Sequence, residues 1–122
     1  MSSGNIAILT LTVIAAGALE AARFVERDGT YPTAGGNALG VTRFSAAAAG
    51  EPVSVDVQGT AIVECGAAVS ADAALMVDAT GRVVPLSGAG KQSVGRALEA
   101  GAAAGALIEI LLIPSAGLVT AA

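Results

Sequence analysis

The chain has no histidine and a single cysteine, Cys65. Without histidine, the ordinary zinc sites, imidazole-based acid–base catalysis and the Ser-His-Asp arrangement are excluded. With one cysteine, an intramolecular disulfide is impossible. Aromatic residues make up only 2% of the 122 residues. A core must therefore be filled by Val, Ile, Leu and Ala, without large rings. Charged residues are also few, at 13% against 54% hydrophobic. Alanine alone is about a quarter of the chain, well above ordinary usage. So little charge predicts an exposed apolar patch, and on a soluble protein such a patch usually marks a partner surface.

The net charge is −4 and the pI near 4.5. The six basic residues, Arg23, Arg27, Arg43, Arg82, Lys91 and Arg96, are scattered along the chain. No basic stripe follows a phosphate backbone, which argues against nucleic acid. The same balance argues against an anionic membrane surface. The apolar run Ile6 to Leu19 is too short for a transmembrane helix, which needs about 20 residues. No Lys or Arg precedes it and it contains Thr10 and Thr12, so it does not read as a signal peptide.

What the chain does have is strand signals, at roughly the 8–12-residue spacing of a sandwich or barrel. Ile6 to Ile14 places Ala7, Leu9, Leu11 and Val13 on one face and Thr10 and Thr12 on the other. Ala21 to Arg27 and Ala38 to Phe44 read as further strands, with Asp28-Gly29 a turn and Tyr31 to Asn37 a loop. The cleanest pattern runs from Val53 to Cys65. Val53, Val55, Val57, Ala61, Val63 and Cys65 share one parity; Ser54, Asp56, Gln58, Thr60 and Glu64 share the other. Gly59 keeps the parity and reads as a bend or a close-packing point. Ala74 to Asp78 and Arg82 to Leu86 flank Ala79-Thr80-Gly81 as a hairpin.

The carboxyl-terminal quarter reads as a closing hairpin, Arg96 to Ala100 and then Ala106 to Ile113. Its second strand is apolar on both faces, so both sides should be covered by protein. Glu109 interrupts it. An unpaired carboxylate there would be costly to bury, so Glu109 either lies at an edge or meets an arginine, for which Arg96 in the preceding strand is a candidate cross-strand partner. The fold class is all-β: a small single-domain barrel or sandwich with hairpins and little helix. Residues 1–15 form an amino-terminal strand or arm and 16–122 the β domain, one domain overall. Residues Met1 to Asn5 are expected to be mobile.

Candidate chemistry is sparse. The loop LSGAGKQS, Leu86 to Ser93, faintly resembles a phosphate-binding loop, but Gln92 follows Gly90-Lys91 and Pro85 stands where the first glycine belongs. Lys91 as the attachment point of a carrier domain is the alternative reading, a small β-domain carrier or ligand-binding module; its neighbours Gly90 and Gln92 fit a flexible loop better. Cys65 lacks a base and lies on the buried parity, so it reads as structural. The ten carboxylates are spread out, with no Asp-x-Asp-x-Asp run for calcium. No catalytic, metal or cofactor-binding residue is assigned, and the chain reads as a non-enzyme.

With those residues in view, the chain resembles the capsid cement, or decoration, proteins of tailed bacteriophages. The likeness is carried by ILTLTV at Ile8 to Val13, AARFVERDG at Ala21 to Gly29 and LGVTRF at Leu39 to Phe44. It continues through VSVDVQGTAIVECG, ATGRVV and the run Gly-Arg-Ala-Leu-Glu-Ala from Gly95. The alanine excess and the segment PSAGLVTAA depart from the pattern. The resemblance implies a structural virion protein on the outer capsid surface, made in the bacterial host cytoplasm. It implies contact with the major capsid protein, bridging of capsomers, and no catalytic residues. Self-association as a homotrimer suits threefold positions and a dimer suits twofold ones; the trimer is preferred. The expected interface residues are Ile8, Leu9, Leu11 and Val13 on the first strand, with Leu107, Glu109, Leu111 and Ile113 on the last.

Overall fold

The structure, a computed structural model, describes residues 6–113. The expectation for Met1 to Asn5 and the departure at PSAGLVTAA lie outside the described residues. Eight strands follow one another: β1 (Ala7–Ile14), β2 (Phe24–Val25), β3 (Gly40–Thr42), β4 (Pro52–Glu64), β5 (Ala74–Val77), β6 (Val83–Pro85), β7 (Gly95–Ala97) and β8 (Leu107–Leu112). They form one curled antiparallel sheet, half of a barrel, in the order β2-β3-β4-β8-β7-β5-β6, with β1 alongside β4. Among the described residues there is no helix. The expected all-β domain is what the chain forms.

β4 is the spine, and it is the alternating run singled out above. Its first half pairs with β1, from Thr10 opposite Asp56 to Ile14 opposite Pro52, and with β3. Its second half pairs with β8, from Thr60 opposite Leu111 to Glu64 opposite Leu107. Gly59 divides the halves with φ +99°, a left-handed conformation open to glycine. A Cβ there would strike the Ile6 carbonyl oxygen and lie 3.0 Å from the Ile8 nitrogen. The register of β1 on β4 slips on both sides of Leu9, next to this contact. Odd positions are buried on both sides of Gly59, yet they serve two cores. Val53, Val55 and Val57 pack with Val13, Leu19 and Val25, whereas Ala61, Val63 and Cys65 pack with Leu75, Val77, Val83, Ile108 and Ile110.

Two expectations along the middle of the chain need adjusting. The Ala21 to Arg27 and Ala38 to Phe44 strands are short, Phe24–Val25 and Gly40–Thr42. Ala22 has φ +62°, which no regular strand tolerates, so the regular ladder starts after it, although the Ala22 N–H already donates to the Thr42 carbonyl at 2.9 Å. Asp56, on the outward parity, is only 1% exposed. Arg43 grips its carboxylate with Nη2 at 2.8 Å and Nε at 3.3 Å, and the Thr10 hydroxyl donates to it at 2.8 Å. A buried carboxylate survives when its oxygens are paired in this way.

The β5–β6 hairpin is built around Asp78. Its Oδ1 accepts from the Thr80 N–H at 2.9 Å, the Thr80 hydroxyl at 2.8 Å and the Arg82 N–H at 3.0 Å. The Gly81 carbonyl then accepts from the Phe24 N–H at 2.7 Å, which brings the β5–β6 turn against β2 and draws the curl together. Glu64 lies at the same seam. Arg82 donates to it at 3.0 Å and Arg23 at 3.3 Å. The Arg82 hydrogen bond and the Arg23 charge outweigh its partial burial and hold the carboxyl below its ordinary value of 4.5.

Candidate interaction surface

β8 alternates between a covered and an open face. Ile108, Ile110 and Leu112 point into the core. Leu107, Glu109 and Leu111 point the other way, and Leu107 is 60% and Leu111 41% exposed. The second face of this strand is therefore not covered by the chain's own described residues. Register places Leu107 beside Glu64, Glu109 beside Ile62, and Leu111 between Thr60 and Arg96. Leu98, whose N–H donates to the Glu109 carbonyl at 3.0 Å, and Ile113 extend the exposed apolar area.

Glu109 is the polar centre of this face and is itself 8% exposed. Its carboxylate accepts from the Thr60 hydroxyl at 2.7 Å, and that hydroxyl accepts from the Ile6 N–H at 2.9 Å. The Glu109 N–H donates to the Glu99 carboxylate at 2.9 Å. The candidate partner Arg96 is engaged elsewhere: its Nε meets the Asp72 carboxylate at 2.7 Å. Register explains the difference, because Arg96 stands opposite Leu111 and Ala74, not opposite Glu109. Sequence reasoning missed Thr60, Leu98 and Ile6 as parts of this face. The outward parity of Thr60 was the available signal; the approach of Ile6 depends on the bend at Gly59.

The first-strand candidates divide. Ile8 is 77% exposed, and Leu9 and Leu11 are also exposed, along a strand whose one partner strand among the described residues is β4. Val13 is buried opposite Val53 in the second core cluster and presents no surface. Beside this strand lies a groove of about 510 Å³ between Leu11–Ile14 and the residues Arg27, Asp28 and Leu39. The Asp28 carboxyl at its rim is held below its ordinary value by the Thr30 hydroxyl and N–H.

The remaining candidates are ordinary structure. Cys65 is fully buried, and burial pushes its thiol up. The aliphatic part of Lys91 lies against Gly35. The neighbouring Gln92 donates through its backbone N–H to the Gly35 carbonyl and through its side chain to Asn37, both at 3.0 Å. The Lys91 loop is thus pinned onto the Tyr31 to Asn37 loop instead of standing as a tight hairpin tip. Among the described residues, no three or more metal-ligating side chains gather.

The sequence matches the family model of phage cement proteins over residues 1–112. The chain belongs to that family. Membership makes it a structural protein of the phage virion. Among solved structures, the cement-family fold seen here is similar to the head fiber gp8.5 N base of bacteriophage phi29. That likeness has a TM-score of 0.68 at 16% identity and covers 86% of this chain and 93% of that one. At this identity the likeness is one of fold. No curated protein matches the sequence.

Proposed function

We propose that this cement-family chain binds the outer surface of an assembled phage capsid and bridges neighbouring capsomers, acting on the major capsid protein as a homotrimer and not as an enzyme. The observation that carries the reading is the open apolar face of β8, centred on Glu109, in a chain of this family. An isolated subunit leaves that face wet; a partner that covers it gains apolar burial at about 25 cal/mol per Å². One such contact is weak, but a subunit tied to several capsomers at once gains from multivalency. Threefold self-association presents the same contact three times. The protein is made in the host cytoplasm and ends on the virion exterior. Cosedimentation tests this. The protein should pellet with assembled, expanded heads and stay behind with free capsid subunits, because the bridged site exists only after assembly. Equal binding to free subunits would defeat the bridging reading.

A further inference from the structure

Of the four aspartates in the chain, Asp28 alone precedes a glycine. Such a pair is prone to rearrange its own backbone, because no side chain shields the glycine nitrogen. Here the pair sits in the turn that seats the end of β1. The Gly29 carbonyl accepts from the Ala16 N–H at 3.1 Å. The Gly29 backbone lies so close to the Ile14 carbonyl that a Cβ would strike its oxygen. Gly29 is buried there at φ +84°, whereas the Asp28 side of the turn is exposed.

We infer that Asp28-Gly29 is a site of isoaspartate formation, held shut while this turn is folded against β1 and open when the turn comes away. The reaction needs only water and the chain's own atoms. The Gly29 nitrogen attacks Cγ of Asp28 and gives up its proton, and one carboxyl oxygen leaves as water. Water then reopens the five-membered imide at either carbonyl. Opening at the α-carbonyl leaves the main chain running through the β-carboxyl, one methylene longer and with no net change in mass. The folded turn opposes the first step. The Gly29 N–H donates to the Glu26 carbonyl at 3.0 Å, and the Glu26 N–H donates to the Thr30 carbonyl at 2.8 Å. Asp28 Oδ1 accepts from the Thr30 hydroxyl at 2.7 Å and the Thr30 N–H at 3.2 Å, which fixes the carboxylate. Those bonds also hold the carboxyl below its ordinary value, so it seldom carries the proton that its oxygen needs to leave as water. The product fits the turn poorly. An added methylene between residues 28 and 29 draws the Gly29 carbonyl off the Ala16 N–H, so conversion loosens the end of β1. Asp78, clasped in the same way by Thr80, precedes Ala79 and serves as the internal control.

The test uses the purified full chain without heads, so its failure leaves the capsid reading untouched. Folded and urea-denatured protein are aged near neutral pH and digested with trypsin. The peptide from Asp28 to Arg43 then separates into aspartate and isoaspartate forms of equal mass. Denatured protein should accumulate isoaspartate at position 28 about 100-fold faster than folded protein, with position 78 slow in both. Thr30→Val, with a native far-ultraviolet spectrum, should raise the folded rate about tenfold, whereas Thr30→Ser, which keeps the hydroxyl, should match the wild type. In the aged Thr30→Val protein, isomerised molecules should exchange the Ala16 amide hydrogen about tenfold faster than unmodified ones. Equal rates in folded and denatured wild type overturn the proposal, and that comparison needs no variant. A folded Thr30→Val no faster than the wild type, or unchanged exchange at Ala16, overturns it as well.

Discussion

Glu64 faces Arg82 and Arg23 where the end of β4 meets the β5–β6 turn. Its folded value is depressed, so its stabilisation is complete above the unfolded value near 4.5 and is lost as pH falls through the lower folded value. Thermal melts should therefore show a loss of stability beginning just below pH 4.5. Glu64→Gln should flatten that part of the pH profile and cost about 2 kcal/mol at neutral pH, because two arginines lose their common acceptor. A profile unchanged by the substitution would mean that other carboxylates set the acid limit. Gly59 is the second sensitive position. Gly59→Ala forces a methyl into the Ile6 carbonyl at a left-handed φ, with an expected loss of about 2 kcal/mol or more and a fall in Tm of about 10 °C. Cys65 should react with thiol reagents only as fast as the protein opens, given its full burial and raised thiol. Rapid labelling of the folded form would contradict the register of β4.

At the level of elements, β8 separates folding from binding. Its even positions hold the core and its odd positions face outward, so the two roles can be tested apart. Leu111→Asp sits on the open face and should change stability by less than about 1 kcal/mol. It should nevertheless abolish binding to heads. Ile110→Asp, in contrast, should unfold the subunit, since it strands a charge in the core. Circular dichroism and head binding measured on both variants check this; retained binding by Leu111→Asp would remove β8 from the interface. Much of this element was legible in the sequence. The alternation in Val53 to Cys65, the turn at Thr80-Gly81 and the closing hairpin all follow from period-two patterning and glycine placement, which are local. What was not legible depends on register. The displacement of Arg96 from Glu109, the burial of Asp56 under Arg43, and the division of one parity between two cores all follow from how β4 bends at Gly59. A parity count along one strand does not contain the neighbour's offset. The open face of β8 was half visible: a strand apolar on both sides demanded two covers, and a domain of this size supplies one.

For the whole molecule, a small sheet with one uncovered face and a low charge content is more complete in an assembly than alone. A cement protein that binds the intact head and not its dispersed subunits stabilises the head by mass action, by RT ln(1 + [L]/Kd) for each independent site. That relation fixes the form of the outcome. Heads titrated with the protein should break at temperatures that rise until the sites are filled and then rise only logarithmically with further addition. At 100-fold excess over Kd the gain is about 2.7 kcal/mol per site, and many sites break together, so even modest affinity should move the transition by several degrees. Lys91→Ala, changed in a loop pinned onto the Tyr31 to Asn37 loop, should follow the wild-type curve, and Leu111→Asp should leave heads at their undecorated breaking point. Genome release followed by dye fluorescence during heating measures this directly. Full occupancy with no shift in the breaking temperature would separate decoration from cementing and leave the protein an attachment on the shell without mechanical effect.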